Sequence, residues 1–147
     1  MPIDIQRLRA LVRDVPDFPK PGIVFKDITP LLADEVAFSS VIDETVVHFG
    51  RGNVDKVVGI EARGFILASP VAYHFGAGFL PVRKAGKLPY QVEAEEYALE
   101  YGTARAAARL VERLGGKVIG IATLIELGFL DGRKAIEGYE FFSLLSY

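Results

Sequence analysis

Lys56-Val-Val-Gly-Ile-Glu-Ala-Arg-Gly-Phe-Ile-Leu-Ala-Ser69 is the stretch from which the fold can be read. Lys56 to Ile60 is mostly apolar and reads as a buried strand, and the apolar run from Phe65 to Phe75 reads as a helix, so Glu61 to Gly64 form the turn between them. A second apolar strand, Gly78 to Val82, follows that helix. Strand, helix and strand at this spacing make a βαβ unit and imply a parallel sheet. In open α/β sheets, turns at the carboxyl ends of strands are where ligands bind. This turn carries Arg63 and Gly64 at a helix N-terminus, where backbone N–H groups and the helix dipole favour an anion. The alternative is an ordinary turn with a solvated arginine.

Outward from this unit, Asp4 can cap a short helix from Ile5 to Val12, with Ile5, Leu8, Leu11 and Val12 on one face. Val15 to Pro30 contains prolines at 16, 19 and 21, which oppose helix and hold the chain extended. Asp34 caps a helix to about Phe49, which Gly50, Gly52 and Asn53 stop. Pro70 should bend the helix 65–75 or open its first turns. Arg83 to Gln91 reads as a mobile loop and Tyr97 to Tyr101 as a half-buried strand. A helix follows from Ala104 to Leu114, with Thr103 as its N-cap, and then a long strand from Lys117 to Leu127. Asp131 to Ile136 can make one helical turn before a final strand from Tyr139 to Leu145.

The chain has 147 residues, half of them hydrophobic and 24% charged, which suits one compact domain, 1–147, with residues 1–30 as an N-terminal arm. A formal net charge of −2 gives no global basic field of the kind that accompanies nucleic-acid binding, so any anion site must be local. Cysteine is absent, which excludes disulfides and thiolate metal sites and fits a reducing cytoplasm. No apolar run approaches a membrane span or a signal peptide, so a cytoplasmic location is expected.

Arg63 lies after the first strand of the βαβ unit, and Arg83, Lys84 and Lys87 lie just after the second. Adjacent parallel strands would bring both groups to one sheet edge, where they would suit a polyanion such as pyrophosphate; a solvated basic loop is the alternative. Phe25, flanked by Val24 and Lys26, could stack on a heterocyclic base, or be a core phenylalanine. Glu100 sits between two tyrosines and could hydrogen-bond a ribose or assist proton transfer, or be one more solvated glutamate of an edge strand. His48 and His74 have no third ligand in spacing, and no metal site is expected from the protein. The glycine-rich nucleotide loops, the hydrolase serine elbow and the zinc-protease histidine motif are absent.

Four stretches together resemble one family, the adenine phosphoribosyltransferases: Phe18-Pro-Lys-Pro-Gly-Ile-Val-Phe-Lys-Asp-Ile-Thr-Pro-Leu-Leu32, Val57-Val-Gly-Ile-Glu-Ala-Arg-Gly-Phe65, Pro81-Val-Arg-Lys-Ala-Gly-Lys-Leu-Pro89 and Glu96-Tyr-Ala-Leu-Glu-Tyr-Gly102. They occur in family order. The resemblance implies a mostly parallel twisted sheet flanked by helices, with a flexible loop over the active site. It implies Mg²⁺-dependent transfer of phosphoribose from phosphoribosyl pyrophosphate to adenine, giving AMP and pyrophosphate, by a homodimer. Carried over by position, Val24, Phe25 and Lys26 would bind adenine, and Ala62, Arg63 and Gly64 the pyrophosphate. Arg83, Lys84 and Lys87 would belong to the closing loop, and Glu100 would assist chemistry. Mg²⁺ would be held mainly through the substrate's pyrophosphate. The chain departs from the family at one place, stepping directly from Tyr101-Gly102-Thr103 to Ala104-Arg105, where the family has a further strand and an acidic, glycine-rich loop for the ribose 5-phosphate. Thr103 and Ala104 are all that remains there for that phosphate. A non-catalytic purine- or nucleotide-binding regulator, or the same reaction on another purine, are the alternative readings.

Overall fold

The computed structural model describes residues 3–89 and 102–147, and the chain divides into two compact units, Met1–Glu44 and Thr45–Tyr147. The expected strand at Tyr97 to Tyr101, and Glu100 with it, lies outside the described residues.

The first unit opens with α1 (Ile5–Ala10), whose N-terminus is closed by the Asp4 side chain accepting from the Arg7 N–H at 3.1 Å. Leu8 is its buried residue, and Leu11 already serves as C-cap, so the helix ends two residues before the expected Val12. The proline-rich segment is more ordered than a stiff extended chain. Arg13–Pro16 (β1) and Val24–Asp27 (β2) pair antiparallel, from Arg13 opposite Asp27 to Pro16 opposite Val24. Ion pairs of Arg13 with Asp27 and of Lys26 with Asp14, both at 2.6 Å, lie along this ladder. A short helix, α2 (Thr29–Ala33), then takes Pro30 into its first turn, where the missing N–H costs nothing. Asp34 caps α3 (Glu35–Phe49) by accepting from the Ala37 N–H at 2.8 Å.

The second unit carries the βαβ unit expected from the opening stretch. β3 (Lys56–Ile60) and β4 (Gly78–Val82) are parallel and in register from Lys56–Gly78 to Ile60–Val82, joined by α4 (Arg63–Phe75). Gly59 lets the layers close: a Cβ there would lie 2.7 Å from the Phe79 ring and 2.9 Å from Ala68 Cβ. α4 begins at Arg63, two residues earlier than expected, and runs through Pro70 as one helix; Gly76, at φ +68°, terminates it in the left-handed conformation.

α5 (Thr103–Arg113) leads to β5 (Ile121–Glu126), which pairs in parallel with β6 (Phe141–Ser146). β5 starts later than the expected Lys117, just past Gly120, where the Phe49 ring occupies the space a Cβ would need. The crossover between β5 and β6 uses two 3₁₀ turns, Gly128–Leu130 and Gly132–Ile136, in place of a helix. Arg133, from the second turn, grips Glu126 at the end of β5 and lies 4.7 Å over the Phe141 ring, which ties the crossover to both strands. His48 is structural, as expected: its ring stacks on Phe142 with centroids 4.1 Å apart, and Nε2 meets Glu140 at 2.8 Å. Among the described residues β3 pairs only with β4, and β5 only with β6, so the parallel architecture is present as two strand pairs.

Candidate anion and base sites

The parallel register of β3 and β4 brings their carboxyl ends side by side, and the two basic stretches with them. The ladder continues one step past Ile60, because the Glu61 N–H donates to the Val82 carbonyl at 3.0 Å. That bond sets Glu61 directly beside Arg83. The peptide between Glu61 and Ala62 is cis. Ala62 is the N-cap of α4 and no side-chain hydrogen bond closes the helix there, so the first-turn N–H groups of a 13-residue helix and the exposed Arg63 are presented together.

Glu61 is the functional candidate that sequence reasoning passed over. Its side chain is only 8% exposed, and its two oxygens gather the basic loop. Oε1 accepts from Arg83 Nε at 3.1 Å and from the Lys84 N–H at 3.3 Å, and Oε2 accepts from Lys87 Nζ at 3.2 Å. Burial pushes the Glu61 carboxyl up, but the Lys87 ammonium, the Lys84 N–H and the Arg83 guanidinium outweigh it and hold the group below the usual carboxylate range. The available signal was the opposite sign of Glu61 and the 83–87 loop at the ends of neighbouring strands, which becomes visible once the strands are paired.

Thr103 and Ala104 form the first turn of α5, with Gly102 as N-cap in place of the expected Thr103, and no side-chain hydrogen bond closes this end either. Both helix starts are therefore suited to a phosphate. In the first unit, Val24, Phe25 and Lys26 make up most of β2. The Phe25 ring meets Phe18 edge to face at 5.3 Å, and the two, with Val15 and Asp27, line a concavity of about 250 Å³. Val24 is exposed, whereas Lys26 is engaged with Asp14. Aromatic walls beside a strand backbone and a carboxylate can take a flat heterocycle.

No group of three or more histidine or acidic side chains that could hold a metal occurs among the described residues, and the nearest carboxylate to the anion site, Glu61, has both oxygens engaged by cations.

The parallel strands β3 and β4, with the uncapped start of α4 at the carboxyl end of β3, define an α/β protein with a candidate anion site at that sheet edge. No family model matches the chain. A curated adenine phosphoribosyltransferase of Acidothermus cellulolyticus is 47% identical over 173 positions, covering 98% of each chain. Among solved structures, the adenine phosphoribosyltransferase of Thermoanaerobacter pseudethanolicus superposes with a TM-score of 0.92 at 41% identity, over 98% of this chain and 100% of that one. The Giardia lamblia enzyme, solved with 9-deazaadenine, gives 0.87 at 34%, over 99% of both. The chain belongs to the adenine phosphoribosyltransferase family and is a transferase with that family's type I fold.

Proposed function

We propose that this chain transfers the phosphoribosyl group of phosphoribosyl pyrophosphate to adenine, releasing AMP and pyrophosphate. The observation that carries the reading is the convergence of Arg63, the N-terminus of α4 and the 83–87 loop at one sheet edge, in a chain 47% identical to a curated enzyme of that name. In this reading a ring nitrogen of adenine bonds to the anomeric carbon of the ribose as the bond from that carbon to pyrophosphate breaks, and the base gives up the proton on that nitrogen. Charge develops in opposite senses at the two ends: the ribose turns cationic while the leaving pyrophosphate collects negative charge. Arg63 and the first-turn N–H groups of α4, with the backbone of Ala62 and Gly64, hold the pyrophosphate. Arg83, Lys84 and Lys87 complete its neutralisation. Mg²⁺ carried on the pyrophosphate supplies further charge stabilisation. Phe25 stacks on adenine while main-chain groups of Val24 and Lys26 meet its edge, and Glu100 assists near base and ribose. Thr103, Ala104 and the α5 N-terminus hold the 5-phosphate. The enzyme works in the cytoplasm as a homodimer; no helix among the described residues is long and apolar enough to cross a membrane.

The test is direct: purified protein with adenine, phosphoribosyl pyrophosphate and Mg²⁺ should form AMP and pyrophosphate in equal amounts, with other purines competing poorly. The direct step from Tyr101-Gly102-Thr103 to Ala104 favours one second reading, a non-catalytic purine- or nucleotide-binding regulator, and binding of adenine or AMP without turnover would establish it in place of the first.

A further inference from the structure

Three donors from the loop that follows β4 converge on one carboxylate. Arg83 Nε, the Lys84 N–H and Lys87 Nζ meet the two oxygens of Glu61 within 3.1–3.3 Å, and Arg83 Nη1 also reaches the Lys87 carbonyl at 3.5 Å. The carboxylate is 8% exposed, whereas the Arg83 and Lys87 side chains are 35% and 49% exposed, so the anion is the fixed member and the cations are the ones able to change partner. Its backbone is pinned as well, through the bond from its N–H to Val82. A buried carboxylate surrounded by an ammonium, a guanidinium and a main-chain N–H presents the same donor set that a phosphate oxygen would seek. Two anions cannot hold these donors at full strength together.

We propose that Glu61 sets the affinity for pyrophosphate-bearing substrates: its carboxylate holds Arg83 and Lys87 in the resting enzyme, and a pyrophosphate group must take those cations from it. This rests on the reading of Arg63 and the 83–87 loop as the pyrophosphate site. The exchange runs both ways. Binding breaks the contacts with Glu61, and their re-formation helps expel the product pyrophosphate. Glu61 is thus a residue acting through Arg83 and Lys87, without itself touching the reacting atoms.

Calorimetric titration of the full chain with magnesium pyrophosphate tests this in wild type and three variants. Relative to wild type, Glu61→Gln keeps the shape and removes the charge, and should bind about three- to tenfold more tightly, the difference between charge-assisted and neutral hydrogen bonds. Its KM for phosphoribosyl pyrophosphate should fall by a similar factor while kcat does not rise. Glu61→Asp, which retracts the carboxylate by one methylene, should lie between the two and gives the readout if the amide variant fails to fold. Arg63→Ala separates the two claims, because it should lose pyrophosphate binding whatever Glu61 does. Unchanged or weaker binding by the Glu61 variants, with Arg63→Ala impaired, overturns the role of Glu61 alone. Wild-type binding that Arg63→Ala leaves intact, or no wild-type binding, overturns the pyrophosphate site and this proposal with it.

Discussion

Asp27 shows how much one side chain can be asked to hold. The Thr29 hydroxyl and N–H, and then the Arg13 guanidinium, bring its carboxyl down to about 2 from an ordinary 3.8. A carboxylate depressed on folding stabilises the native state in full above its unfolded value and loses that contribution as pH falls through the folded one. The melting temperature of wild type should therefore decline between about pH 4 and pH 2 more steeply than that of Asp27→Asn, the two curves drawing together near pH 2. Thermal melts over that range check it, and parallel curves would show that Asp27 contributes nothing through its charge. At this scale the helix caps were legible, since Asp4 and Asp34 act on N–H groups three residues on. Glu61 was not, because its partners lie 22 to 26 residues away and are set by strand register, a long-range property.

Among the elements, β3 depends on a single glycine for its fit against α4. Gly59→Ala would drive a methyl group against the Phe79 ring and Ala68, and overpacking of this kind costs about 1–3 kcal/mol. Urea denaturation should show a lower midpoint with an unchanged slope; a change of less than about 0.5 kcal/mol would mean that α4 moves aside freely. β3, α4 and β4 were readable because apolar runs, glycines and spacing all point the same way there. The segment from Val15 to Pro30 was read only in part. Its prolines correctly argue against a helix interior, yet Pro16 ends a paired strand and Pro30 sits in a helix's first turn, both places where proline is tolerated. The pairing of β1 with β2 depends on two segments meeting across an intervening loop, for which no local pattern exists. α5 was readable from its place between Thr103 and the Gly115-Gly116 stop, although its N-cap is Gly102 and not Thr103.

For the whole molecule, the parallel α/β class was in the sequence, and the family could be reached only by combining motifs that are individually weak. If the proposed dimer forms, sedimentation should give about twice 16.1 kDa at micromolar concentration, and a monomer would remove that part of the reading. β3, α4 and β4 are contiguous in sequence, residues 56–82, and their layers close on one another at Gly59. Cooperative opening tends to follow such contiguous motifs. The amides of β3 and β4 should then exchange with solvent as one block, and Gly59→Ala should accelerate that block, which residue-resolved hydrogen exchange checks. The susceptibility of residues 56–82 to proteolysis would in that case be set by how often this one unit opens.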